Sequence, residues 1–161
     1  MKRKTIKRGL MCCLAAAVSL AAAARPVVGS GVPVVDLAGE KARQTIVAEG
    51  TREVYQGHPT TVLTKDGKLI CVWCLGHGGG CGPAAESTDG GRTWTRIDGR
   101  FPEVYAKTHR NCPTLQKCRT KAGGERLFVF SYKTGSSDRR SCGVMISDDG
   151  GATWREGAVI K

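Results

Sequence analysis

Past residue 24 the sequence has no long helical period and no apolar run that would cross a bilayer. The one sustained apolar run, Leu10 to Ala24, covers about fifteen residues where a spanning helix needs about twenty. No integral membrane span is therefore expected in the mature chain. Also missing is any run of Lys and Arg interleaved with aromatics, so a nucleic-acid partner is not expected. The first ten residues contain no acidic side chain; Lys2, Arg3, Lys4, Lys7 and Arg8 make them strongly basic. A basic block, a short apolar run and the small residues Ala21 to Ala24 have the organisation of a signal peptide over residues 1–24. The chain is expected to be exported, to a periplasmic or extracellular location, with an uncleaved N-terminal anchor as the alternative.

The leader holds five of the 25 Lys and Arg residues and none of the 14 Asp and Glu, which leaves +6 on the remainder. A surplus of that size is a solvated surface that would still attract an acidic ligand, such as a carboxylated sugar. Six cysteines follow the leader: Cys71, Cys74, Cys81, Cys112, Cys118 and Cys142. An even number in an exported chain favours disulfides, with the pairing left open. The rival reading is a zinc site, because Cys71, Cys74, His77 and Cys81 fall within eleven positions. Against it, residues three apart on a strand point to opposite faces. No metal or other cofactor is expected.

Residues 25–50, punctuated by Pro26, Gly29, Gly31 and Pro33, read as a lead-in or a short edge strand. Beyond them, over 51–161, the pattern is all-β. Thr60 to Thr64 and Lys68 to Leu75 are β-rich runs joined by Lys65-Asp66-Gly67, a strong hairpin signal. The Gly-rich loop Gly76 to Pro83 follows. The octapeptide Ser87-Thr-Asp-Gly-Gly-Arg-Thr-Trp94 then recurs as Ser147-Asp-Asp-Gly-Gly-Ala-Thr-Trp154, with six of the eight positions identical. The upstream order repeats as well: His58-Pro59-Thr60 parallels Cys112-Pro113-Thr114, and Leu69 to Trp73 parallels Leu127 to Phe130. Each unit is a few short strands ending in the same turn, the organisation of a propeller blade.

These octapeptides resemble the Asp-box, Ser-x-Asp-x-Gly-x-Thr-Trp, of bacterial sialidases and related proteins. The resemblance implies a sialidase-like β-propeller, six-bladed in that family, of which about two blades are present. The box residues Ser87, Asp89, Gly91, Thr93, Trp94, Ser147, Asp149, Gly151, Thr153 and Trp154 have a structural role. Each Asp accepts bonds from its own turn, Gly90-Gly91 and Gly150-Gly151 take positive φ, the hydroxyls add bonds, and each Trp buries apolar area. Segments Gly57-His58-Pro59-Thr60, Leu75-Gly76-His77-Gly78-Gly79 and Asn111-Cys112-Pro113 are also similar to those of secreted proteins called exo-sialidases. There the name rests mostly on the fold.

In sialidases an arginine triad grips the sugar carboxylate, and an aspartate and a tyrosine carry the chemistry. The place matching the first arginine is Tyr55 to Pro59, which holds Gly57 and His58, and Leu75 to Glu86 contains no aspartate. Candidate ligand-contacting residues are His58, His77, His109 and Arg110; the catalytic residues are unknown. Imidazoles can bind sugars, protons or metals, and Arg110 can hold a carboxylate bidentately. Arg139-Arg140 reads as a solvated turn. The implied function is an exported sialidase-like glycoside hydrolase, truncated and inactive as it stands, with carbohydrate as partner; the alternative is a non-catalytic glycan- or protein-binding propeller. A ring needs about four to eight blades. The two here point to a fragment, with a multi-chain ring or a small β-sandwich as alternatives and the oligomeric state open.

Overall fold

The computed structural model describes residues 35–135 and 141–160. The expected leader and Arg139-Arg140 lie outside those residues, as does the first part of the lead-in. Residues up to Glu40 belong to a unit of their own, where the Ala38 amide donates to Asp36 Oδ1 at 2.9 Å. The second unit starts at Lys41 with a single 3-10 turn, Lys41–Arg43. No strand is found among the described residues of the lead-in.

Two four-stranded antiparallel sheets follow, each a meander in chain order. The first contains β1 (Gln56–Leu63), β2 (Leu69–Leu75), β3 (Ala84–Ser87) and β4 (Thr95–Arg96). The second contains β5 (His109–Arg119), β6 (Glu125–Lys133), β7 (Cys142–Ser147) and β8 (Arg155–Glu156). The all-β expectation of two propeller-type blades holds. The Asp66-Gly67 hairpin forms as read, with the Thr64 amide donating to the Lys68 carbonyl at 2.8 Å and Gly67 at φ 83°. A 3-10 turn, Asp98–Arg100, and a short helix α1 (Glu103–Thr108) carry the chain from one sheet to the other.

β2 reads Leu-Ile-Cys-Val-Trp-Cys-Leu without alternation because both of its faces are covered. Ile70, Val72 and Cys74 meet Leu115, Leu127, Val129 and Met145 of the second sheet, closed off by Phe101, Tyr105 and Trp154. Phe101 stacks on Trp154 with ring centroids 4.5 Å apart and on Tyr105 at 4.6 Å. The opposite face, Cys71 and Trp73 with Ala85, is covered by Val47, Ala48 and Trp94. Each large aliphatic side chain so buried contributes about 1.5–3 kcal/mol.

The six cysteines are all unbridged, which corrects the disulfide expectation. Cys71 and Cys74 face opposite sides of β2, so neither a bridge between them nor the tetrad zinc site can close. Burial in an apolar junction pushes the Cys81 thiol up to about 12, which keeps it a thiol.

Candidate functional site at the mouth of the first strands

β1 and β5 are equivalent strands, and each is broken near its start by a bulge. In β1 the register shifts between Gly57 and Thr60; in β5 it shifts between Arg110 and Thr114. Each bulge holds a non-glycine residue at positive φ: His58 at 51° and Asn111 at 65°. Such backbone is costly for a side chain and marks places where surroundings fix the conformation. The prolines Pro59 and Pro113 occupy the bulges, where no ladder donor is needed.

The Gly-rich loop leaving β2 is strapped to both strands. The Gly76 amide donates to Tyr55 O at 2.6 Å, the Asn111 amide to Gly79 O at 2.9 Å, and the Cys81 amide to His109 O at 2.9 Å. Gly79 permits this path, since a Cβ there would lie 1.7 Å from the Leu75 carbonyl oxygen. The loop thereby presents His77 to His58: His58 Nε2 lies 3.1 Å from His77 Nδ1, and the ring centroids are 4.8 Å apart. Arg110 is exposed on the same rim, paired through its backbone with Gly80. Three candidates from distant sequence positions are thus gathered on one rim.

The fourth is elsewhere. His109 is fully buried, with Nδ1 2.7 Å from Ser131 Oγ and Nε2 3.6 Å from Glu156 Oε1. Its ring fills the space over Gly143, where a Cβ would come within 2.4 Å. The strand alternation turns it inward while Arg110 turns out, so His109 is a packing residue and leaves the set of ligand contacts. Burial, reinforced by the Lys133 cation, lowers its pKa.

The two octapeptide turns have the chemistry read from their sequence. Asp89 Oδ1 accepts the Thr93 amide at 3.0 Å and the Arg92 amide at 2.9 Å, and Oδ2 accepts the Thr93 hydroxyl at 2.6 Å. Ser87 Oγ donates to Asp89 Oδ1 at 2.7 Å and accepts the Gly91 amide at 2.8 Å. Asp149 repeats the pattern with Thr153 and Ser147. The Thr93 hydroxyl, the Thr93 amide and Ser87 hold the Asp89 carboxyl far below its usual range. Burial pushes the Asp149 carboxyl up, but the bonds from Thr153 and Ser147 outweigh it and leave it at about 2. Both oxygens of each carboxylate thus accept bonds within their own turn, so these aspartates specify structure.

The BNR/Asp-box repeat family matches residues 85–96 and 145–156, spanning the β3–β4 and β7–β8 turns. The chain carries two BNR/Asp-box repeats. Both matched segments contain the hydrogen-bonded turn and its tryptophan: Trp154 is buried between the sheets and Trp94 half-buried on the outer face. No curated protein matches the chain.

The residues that sequence reasoning missed are Asn111, Tyr105 and Glu156. Asn111 shares the positive φ of His58 but stands one position further from its proline, so the X-Pro-Thr parallel, which aligns Cys112 with His58, did not single it out. Tyr105 and Glu156 border His109 and carry no signal of their own.

Proposed function

We propose that this BNR-repeat chain is part of an exported, sialidase-like carbohydrate-active propeller, and that the His58, His77 and Arg110 rim contacts the sugar. The observation that carries the reading is that the β1 bulge, the loop leaving β2 and the β5 bulge bring His58, His77 and Arg110 to one end of the two sheets, with His58 and His77 in contact and Arg110 paired through its backbone with Gly80 of the same loop. BNR repeats occur in sialidases and other glycosidases. A planar guanidinium at the same rim as two imidazoles offers bidentate donation to a carboxylate and further bonds to hydroxyls. An acidic monosaccharide fits this donor-rich rim best.

The second reading is recognition of glycan without hydrolysis. It is favoured by Gly57 and His58 standing where the resemblance places an arginine, and by the absence of Asp from Leu75 to Glu86. Titration of the purified chain with sialyllactose and lactose by calorimetry, beside a fluorogenic sialoside assay, separates the readings. Sialyllactose binding that is lost in Arg110→Ala supports the rim in both. Release of the fluorophore favours the hydrolase and its absence the binding module. No preference for sialyllactose over lactose sinks the acidic-sugar assignment.

A further inference from the structure

The two histidines of the rim meet within hydrogen-bond distance, but their rings are not end to end. If one ring donated to the other along the line joining the two nitrogens, the centroids would lie about 5.4 Å apart, the nitrogen separation plus about 1.15 Å for each ring. They are 4.8 Å apart. The rings are therefore tilted out of the end-to-end arrangement, with their planes 48° apart, and these two distances are those of rings whose nitrogens face one point beside the N···N line.

That point has the distances of a metal ion. With metal–nitrogen bonds of about 2.05 Å, two imidazole nitrogens are about 2.9 Å apart at a right angle and about 3.3 Å apart at the tetrahedral angle. The corresponding centroid separations are about 4.5 and about 5.2 Å. The observed 3.1 Å and 4.8 Å fall inside both ranges. Converted separately, each distance gives a ligand–metal–ligand angle of about 98°. Two measures that could have disagreed return the same angle.

We propose that His58 Nε2 and His77 Nδ1 chelate one divalent transition-metal ion of the zinc type. The choice of ion follows from the donors, since imidazole suits zinc, copper and nickel, whereas calcium and magnesium take oxygen. Among the described residues no group of three or more His, Cys, Asp or Glu forms a closed cage, so water completes the shell. Exposure of His77 and partial exposure of His58 leave those positions open. The positive φ of His58 becomes intelligible as the conformation that turns its ring toward the loop. The Asn111 amide donating to Gly79 O fixes the other side, holding the loop that carries His77. Bound metal would tie the β2–β3 loop to the β1 bulge.

The test is titration of the full chain with Zn²⁺ by calorimetry and with Co²⁺ by visible absorption, in wild type, His58→Asn, His77→Gln and Cys112→Ser. Asparagine is chosen at 58 because it tolerates positive φ, and position 77 lies in an exposed loop, so both variants should fold; far-UV circular dichroism checks this. The expected result is one ion per chain, an affinity at least tenfold lower in each histidine variant, and unchanged binding in Cys112→Ser. The proposal is overturned by folded wild type that binds no Zn²⁺, by equal affinity in the histidine variants, or by a thiolate-to-cobalt band that vanishes in Cys112→Ser. Repeating the sugar titration with EDTA keeps this inference separate from the proposed function: loss of metal binding and loss of sugar binding are read independently.

Discussion

The Thr60 hydroxyl donates to the Pro113 carbonyl oxygen at 2.6 Å, joining the first strands of the two sheets across their boundary. The bond starts just after one bulge and ends inside the other, so it fixes the two bulges relative to each other. Thr60→Val keeps the shape and removes the donor, leaving a part-buried carbonyl without its partner. A loss of about 1 kcal/mol is expected, read as a lower midpoint in urea with unchanged slope.

Arg100 makes a second link. Its guanidinium meets Glu86 at 2.6 and 2.7 Å and the Gly151 carbonyl of the other sheet at 3.3 Å. The hydrogen bonds from Arg100 lower the Glu86 carboxyl pKa. Arg100→Met should cost about 1.5–3 kcal/mol, and Glu86→Gln less, because the amide still accepts one guanidinium bond. Equal thermal shifts for the two variants would argue against a shared network.

Gly151 is the tightest point of the second box. A Cβ there would approach Ile70 Cδ1 to 2.3 Å at φ 86°, whereas at Gly91 the nearest atom, Leu69 Cδ1, is 3.3 Å away. Both variants pay for left-handed backbone, about 1–2 kcal/mol, but only Gly151→Ala also overpacks the core, adding about 1–3 kcal/mol. Thermal melts should rank Gly151→Ala well below Gly91→Ala.

Acid should destabilise the protein in two steps. His109 has a folded pKa below the ordinary 6.5, so its contribution is present above that value and is lost as pH falls through the lower folded value. Asp149, at about 2 against 3.8, contributes fully above 3.8 and loses that contribution as pH falls toward 2. Melting temperature measured from pH 8 to 2 should decline first just below pH 6.5 and again below pH 4. A flat profile between pH 7 and 5 would contradict the buried neutral imidazole.

Much of the fold was legible because its turns are chemically explicit. Asp66-Gly67 announces a hairpin, and Asp89 and Asp149 announce turns whose bonds are internal to eight residues. The six-residue helix α1 was not legible, being too short to show a period, and with it went the Phe101, Tyr105 and Trp154 stack between the sheets. The disulfide expectation failed because cysteine count carries no information on which thiols the fold brings within bonding reach, and all six are unbridged. At the rim, His58 and His77 could be named from Gly-His segments, but their contact depends on the β1–β2 register that places Gly57 opposite Cys74. His109 was misplaced because adjacent residues on a strand alternate, and sequence alone did not say whether it or Arg110 turns inward.

The central claim is that the rim of His58, His77 and Arg110 contacts carbohydrate. The most direct measurement is two-dimensional NMR of the ¹⁵N-labelled chain titrated with sialyllactose, following histidine ring and arginine side-chain signals. The account predicts saturable shifts at His58, His77 and Arg110, with His109 and the Asp-box amides of Thr93 and Thr153 unmoved. Shifts confined to other surfaces, or none at millimolar sugar, would contradict it.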